Sequence, residues 1–136
     1  MAVGEQYGEN MMQDFNNGAV AWTDWNILLD EKGGPNHVNN FCFAPVHAKT
    51  AENSLHLMNS YYYIGHFSKF IKPGARRLLY LNRAQLLTTG FINQDGSTAI
   101  VVMNKENEKF DLKLFLADRV LPVTILPHAI INVVVK

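Results

Sequence analysis

The chain has 136 residues, of which 48% are hydrophobic and 18% are charged, values typical of a globular protein. Its 12 basic and 12 acidic residues cancel, which argues against nucleic acid or an anionic membrane surface as a partner, since both favour a basic excess. Cys42 is the only cysteine, which excludes an intrachain disulfide, and no apolar run reaches the roughly 18 to 20 residues of a membrane span.

A first helix is predicted over residues 5–17. Tyr7, Met11 and Phe15 recur every four residues and form one apolar face. Asn16-Asn17-Gly18 is typical of a helix end, because Asn and Gly tolerate the left-handed conformation. The start lacks the basic and then apolar pattern of a signal peptide. A helix this close to the first residue indicates a truncated piece of a longer protein.

Residues 18–25 are small and then aromatic, a pattern that predicts a strand buried on both faces, as parallel strands are. The following residues, 26–35, are dense in turn formers and predict a loop. Residues 36–52 show no clear period, so we expect an irregular loop there as well.

A second helix is predicted over residues 60–71, where aromatic residues fall at helical spacing. Ser60 is its expected N-cap, and Pro73-Gly74 prevents its continuation. Tyr61-Tyr-Tyr63 could form an aromatic binding patch, but core packing with one exposed ring is the stronger expectation. For His66 we expect helix packing rather than catalysis.

From about residue 76 the pattern becomes that of successive short strands separated by explicit turns. The predicted strands are 76–85, 86–92, 97–104, 110–116, 120–126 and 129–135. Within residues 110–116, apolar residues alternate with Asp111 and Lys113, which indicates one buried and one wet face. The predicted fold class is therefore mainly β: an antiparallel β-sandwich preceded by a helix–strand–helix piece.

The stretch Ala21-Trp-Thr-Asp-Trp-Asn26, followed by Gly33-Gly-Pro-Asn36 and Asn39-Asn-Phe41, invites a carbohydrate interpretation. An indole can cover the flat C–H face of a sugar, and amide side chains can bond its hydroxyls. A tryptophan near a strand end is nevertheless more often part of a core than a ligand platform. The residues by themselves leave both interpretations open.

Three strings resemble the C-terminal region of the glucosylceramidase-like glycoside hydrolases of family 30. They are Gly18-Ala-Val-Ala-Trp-Thr-Asp-Trp-Asn26, the Gly-Gly-Pro-Asn-x-Val-x-Asn-Phe run of residues 33–41, and Tyr63-Ile-Gly-His-Phe-Ser-Lys-Phe-Ile71. The resemblance covers nearly the whole chain and implies a (β/α)₈ barrel joined to a β-sandwich. By that resemblance residues 1–75 would be the barrel remnant, with helix 7, strand 8 and helix 8, and residues 76–136 the sandwich.

The same resemblance implies a sugar site, because barrel active sites lie at the C-terminal ends of the strands. Trp25 would pack against the sugar, and Asn40 would lie near its hydroxyls or the catalytic carboxylates. The expected supporting residues are Asp24 and Asn26 at the rim and Phe41 and Cys42 at the mouth. The complete enzyme would act on a β-glucoside or a glycosphingolipid, with β-1,6-glucans also left open, and would be secreted or periplasmic.

No cofactor and no metal site is expected. His37, His47, His56 and His66 are spaced about ten residues apart, which is wider than the close pairs that metal sites usually show.

No catalytic residue is expected in this chain. A retaining glycosidase needs two carboxyl groups about 5 to 5.5 Å apart. In the family these are glutamates on earlier barrel strands, whereas the glutamates here fall on the first helix and in loops and turns. The chain by itself is therefore expected to be inactive. The alternative is a stand-alone β-sandwich module with a carbohydrate-binding or structural role, and in both cases open sheet edges predict self-association.

Overall fold

The computed structural model describes residues 3–35, 38–79, 85–116 and 118–136, and it has two helices and nine strands there. In chain order the elements are α1 (Val3–Asn16), β1 (Leu28–Asp30), β2 (Val46–Lys49), β3 (Ser54–Leu57), α2 (Asn59–Ser68), β4 (Arg76–Arg77), β5 (Leu87–Ile92), β6 (Thr98–Asn104), β7 (Phe110–Leu116), β8 (Arg119–Ile125) and β9 (Ala129–Val135). The predicted fold class is confirmed, with the strand-rich half beginning at β4.

The main sheet has the order β4-β5-β6-β9 and is antiparallel throughout. Both of its faces are covered. On one face α1 and α2 pack together, and Met12 of α1 and Phe67 of α2 meet Val101 and Met103 of β6. The predicted apolar face of α1 is thus the face that it buries.

The opposite face of the main sheet packs on the β7–β8 hairpin. Ile100 and Val102 of β6 meet Ile125 of β8 and the apolar side of β7. Successive β6 residues therefore serve two different cores, which explains why β6 reads as a continuous apolar run. In β7 the predicted alternation is confirmed, since Asp111 and Lys113 are exposed between half-buried apolar neighbours.

The predicted strand over residues 18–25 is wrong at the level of hydrogen bonding, because no strand forms there. Burial still alternates as in a strand: Trp22, Asp24 and Asn26 are half-buried and the residues between them are exposed. Within the described ranges, the backbone of residues 20–26 bonds to no other backbone group. A strand requires neighbours that accept and donate these bonds, and the sheets of the described residues supply none here.

The loops predicted over 26–35 and 36–52 instead contain strands. β1 pairs in parallel with β2, and β2 pairs antiparallel with β3. Each of these strands has only 3 or 4 residues, too few to show a period in the sequence. Residues 36 and 37 lie outside the described ranges.

Several element boundaries differ from the prediction; α2, for example, ends at Ser68 rather than at residue 71. Met58, rather than Ser60, is the N-cap of α2, and its side chain forms no capping hydrogen bond. Ser60 lies one position inside the helix and is fully buried at 0% exposure. Of the strand predicted over 76–85, only residues 76 and 77 form a strand, β4; residues 78, 79 and 85 do not, and residues 80–84 lie outside the described ranges.

Candidate functional site

A groove of about 770 Å³ runs between residues 22–27 and α2. It is lined by Trp22, Thr23, Asp24, Asn26, Ile27, Pro45, Tyr61, Tyr62, Ile64, Gly65, His66, Ser68, Lys69 and Phe70. Tyr61 and Tyr62 are 44% and 57% exposed, so two rings of the tyrosine triplet face outward where one was expected. Aromatic rings on both walls make the groove largely apolar.

Asp24 is the acidic residue of this groove, and α1 holds it in place. Its Oδ1 accepts a hydrogen bond of 2.8 Å from the backbone N–H of Trp25 and one of 3.4 Å from the Tyr7 hydroxyl. The Tyr7 ring also packs edge-on against Trp22, with centroids 5.6 Å apart. Burial, with the Asp24 charge as a second cause, raises the pKa of Tyr7 above its usual value. Asp24 Oδ2 is buried and has no hydrogen-bond partner among the described residues.

The loop that carries Asn40, Phe41 and Cys42 is held by Gly33. The backbone N–H of Cys42 donates to the Gly33 carbonyl at 3.4 Å. Gly33 is buried at φ +79°, and a Cβ there would lie 2.8 Å from the Cys42 carbonyl oxygen. Asp30 supports the turn, since its Oδ1 accepts from the backbone N–H of Gly34 at 2.7 Å. Glycine is therefore required in this Gly-Gly pair because neighbouring atoms come so close to the backbone that they leave no room for a Cβ atom.

The six predicted site residues do not all lie in one site. Asp24 and Asn26 line the groove, whereas Trp25 and the loop residues Asn40, Phe41 and Cys42 lie outside its lining. Trp25 is 86% exposed and Phe41 65% exposed, so neither indole nor phenyl ring is part of a core. The contact between Tyr7 and Asp24 was not predicted from the sequence. The two residues are 17 positions apart, so no local sequence pattern indicates that they meet.

The glutamates of the chain are spread over different elements and partners. Glu5 contacts the His128 ring at 2.8 Å, Glu9 pairs with Lys105 at 2.6 Å, Glu31 accepts from the Thr50 hydroxyl at 2.8 Å, and Glu52 pairs with Lys49 at 3.3 Å. The Thr50 backbone N–H, which also bonds Glu31, lowers the pKa of that carboxyl. Glu106 and Glu108 are exposed in the turn between β6 and β7.

Within the described ranges, no three His, Cys, Asp or Glu side chains are placed to hold a metal ion. Neither of the helices that the structure describes has the length and apolar character needed to cross a membrane.

Two known domain families match the chain one after the other. Residues 1–71 match the TIM-barrel domain of glycosyl hydrolase family 30, and residues 74–133 match the beta sandwich domain of the same family. The chain belongs to glycosyl hydrolase family 30. The motif-based resemblance is thereby confirmed, and the groove and the Gly33 loop both fall within the barrel match.

Relatives of this family 30 chain are glucosylceramidases by name. It is 34% identical over 117 residues to lysosomal acid glucosylceramidase of Mus musculus, covering 85% of the chain and 22% of that protein. It is 40% identical over 99 residues to putative glucosylceramidase 1 of Caenorhabditis elegans, covering 71% and 19%. The crystal structure of SrfJ from Salmonella typhimurium superposes with a TM-score of 0.95 at 31% identity, over 98% of the chain and 30% of SrfJ. The chain therefore spans about a fifth of the length of the curated relatives that it matches.

Proposed function

We propose that this chain is the C-terminal part of a retaining, glucosylceramidase-like β-glycosidase. The complete protein would hydrolyse β-glucosidic bonds, with a β-glucoside or glycosphingolipid as substrate. The observation that carries this proposal is the succession of the two family 30 domain matches, together with relatives named glucosylceramidase. A (β/α)₈ barrel takes about 250 residues, whereas the barrel match here spans residues 1–71. In the proposed complete protein, the rest of the barrel would come from further polypeptide.

The same proposal holds that the chain by itself is inactive. Retaining hydrolysis needs one carboxyl group as acid/base and a second as nucleophile, about 5 to 5.5 Å apart. Four of the six glutamates here are each engaged with a different partner, and the other two are exposed in one turn. This distribution supports the proposal that both catalytic carboxyl groups belong to the part of the barrel that lies outside this chain.

Within the complete site, Trp25 is the proposed platform for the sugar ring. Its indole is 86% exposed and available to cover a C–H face. Asn40 is proposed to bond sugar hydroxyls from the loop that Gly33 holds. Asp24 and Asn26 would support the rim, and Phe41 and Cys42 would line the mouth of the site.

The test is hydrolysis of a fluorogenic β-glucoside by the purified chain, with mouse lysosomal acid glucosylceramidase as the positive control. We expect no turnover above buffer. Turnover that disappears when one of the chain's own glutamates is changed to glutamine would overturn the inactive-fragment proposal. Retention of the chain on an insoluble β-glucan without any hydrolysis would favour the stand-alone binding module.

The glycosidase part of the proposal needs the complete protein. A chimera in which this chain replaces the matched region of the mouse enzyme should hydrolyse the same β-glucoside. Trp25→Ala in the chimera should lower kcat/KM by about 10- to 100-fold, the effect of about 1–3 kcal/mol of lost contact. Phe115→Ala, at an aromatic side chain on β7 that is 74% exposed and outside the proposed site, is the matched control. A folded chimera, shown by a cooperative melt, that has no activity would contradict the proposal.

A further inference from the structure

Trp25, the proposed sugar platform, is oriented by its backbone rather than by side-chain packing. Its indole is 86% exposed, so few neighbouring atoms restrict the ring. Among the described residues, the backbone of residues 20–26 forms one hydrogen bond, from the Trp25 N–H to Asp24 Oδ1 at 2.8 Å. The Asp24 carboxylate therefore holds the backbone at the point from which the indole projects.

Helix α1 holds this carboxylate through Tyr7. The Tyr7 hydroxyl donates to the same Oδ1 atom at 3.4 Å, and the Tyr7 ring packs edge-on against Trp22 with centroids 5.6 Å apart. The hydrogen bond is long, and the ring contact is a second attachment, two positions before Asp24. Burial, with the Asp24 charge as a second cause, raises the pKa of Tyr7, so the hydroxyl keeps its proton at neutral and acid pH and remains a donor. Oδ2 has no partner among the described residues, so Oδ1 makes both contacts.

We propose that Tyr7 is a positioning residue of the sugar site: acting through Asp24 Oδ1, it fixes the direction in which Trp25 presents its indole to the sugar ring. This inference rests on the proposed function, in which Trp25 is the platform. Tyr7 acts from the opposite side of the segment, because it contacts the half-buried Trp22 and Asp24 while Trp25 is exposed. A tilted platform loses contact, because an indole covers a C–H face only when it lies flat against it.

A purely structural Tyr7 would behave differently. Lost packing lowers activity whatever residue stands at position 25, whereas positioning acts only through Trp25. Tyr7→Phe keeps the ring contact with Trp22 and removes the hydroxyl, so it isolates the bond to Asp24. Tyr63→Phe, at a tyrosine of α2 that packs against α1, is the matched control.

The first measurement is the hydrogen-exchange rate of the Trp25 amide in the 136-residue chain, followed by NMR. Tyr7→Phe should raise this rate by about 3- to 10-fold, the effect of one weakened hydrogen bond. Tyr63→Phe should leave the rate unchanged. Asp24→Asn keeps an oxygen acceptor and should keep the protection, whereas Asp24→Ala should remove it. Equal exchange of the Trp25 amide in the unmodified chain and in Tyr7→Phe would overturn the inference.

The second measurement is a double-mutant cycle in the chimera with the mouse enzyme. Tyr7→Phe should lower kcat/KM for the fluorogenic β-glucoside by about 3- to 10-fold, and Tyr63→Phe should not. In the Trp25→Ala chimera, Tyr7→Phe should have no further effect, because the side chain that it positions is absent. Equal losses in the two backgrounds would show an effect independent of Trp25 and would refute the positioning role.

The outcomes keep this inference distinct from the proposed function. A folded chimera without activity contradicts the proposed function, and exchange of the Trp25 amide then decides alone whether Tyr7 holds Trp25 in place. An active chimera in which Tyr7→Phe changes nothing leaves the proposed function standing and overturns the positioning role.

Discussion

Asn132 on β9 and His66 on α2 bind each other through two contacts. The Asn132 side-chain amide donates to the His66 backbone carbonyl at 2.8 Å, and its Oδ1 faces Nδ1 of the His66 ring. Because Oδ1 is an acceptor, Nδ1 is the ring nitrogen that carries a proton. The pair joins the helical half to the main sheet. His66 thus has the packing role that its sequence position predicted.

Replacing Asn132 should destabilise the chain. Asn132→Ala removes both contacts and leaves the half-buried His66 groups without these partners, so the free energy of unfolding should fall by about 1–3 kcal/mol. Val134→Thr, two positions along the same strand and 43% exposed, should change it by less than about 0.5 kcal/mol. Urea unfolding followed by circular dichroism measures both. Equal effects of the two substitutions would show that the pair contributes nothing specific.

Two helical glycines should respond to alanine in opposite directions. At Gly8 a Cβ would lie 2.8 Å from Tyr63 Cδ1 and 2.9 Å from Met103 Sδ, so Gly8→Ala should lower the free energy of unfolding by about 1–3 kcal/mol. At Gly65 a Cβ meets nothing within 4 Å, so Gly65→Ala should raise it by about 0.5–1 kcal/mol through helix propensity. The melting temperatures of both variants, measured by thermal unfolding, test these two predictions. Stabilisation by Gly8→Ala would contradict the close packing of α1 on α2 and β6.

Asp95 should make stability depend on pH in the acid range. The Ser97 hydroxyl and backbone N–H donate to Asp95 Oδ1 at 2.6 and 2.9 Å and lower the pKa of Asp95 below its usual 3.8. A lowered folded-state pKa means that this stabilisation is present above pH 3.8 and is lost as the pH falls through the folded pKa. Asp95→Asn should therefore lower the urea midpoint at neutral pH and show a smaller decrease on acidification. Asp118→Asn, at an exposed residue between β7 and β8, should retain the full decrease. An identical decrease in Asp95→Asn would refute the assignment.

Self-association remains a prediction that rests on sheet edges. The outer edge of β9 has no strand neighbour among the described residues, and Val134 on this strand is 43% exposed. Size-exclusion chromatography with light scattering should show a mass that rises with concentration. Val134→Lys should suppress this rise, whereas Val20→Lys should do so only if residues 20–26 form the contact. A monomer at every concentration would rule out the prediction.

The local elements of the fold were predictable where their own side chains carry the signal. The apolar face of α1, the alternation in β7 and the turn after Asn93 all follow from residues close in sequence. The family followed from three strings of ordinary residues. The small sheet β1–β2–β3 was not predictable, because strands of 3 or 4 residues are stabilised by their pairing rather than by a pattern of their own.

The candidate site was predictable only in part. The residues alone favoured a core position for a tryptophan near a strand end, and the sugar-platform role of Trp25 came only from the family resemblance. The structure places Trp25 at 86% exposure, outside any core. The contact of Tyr7 with Asp24 and the bare Oδ2 atom depend on how α1 lies against residues 22–24. Such a contact cannot be predicted from residue spacing, because it arises when elements that are distant in the sequence pack together.

The sequence by itself determined the helices and the strand-rich second half, because periodicity and turn chemistry are properties of neighbouring residues. The family was identified separately, by the resemblance of three sequence strings to known members. The tertiary structure decided which of the apolar segments become strands. Residues 98–104 form β6 because β5 and β9 pair with both of their edges, whereas residues 20–26, although their burial alternates as in a strand, have no backbone partner among the described residues. The physical reason is that strand hydrogen bonds are made between segments, so their formation depends on what lies alongside.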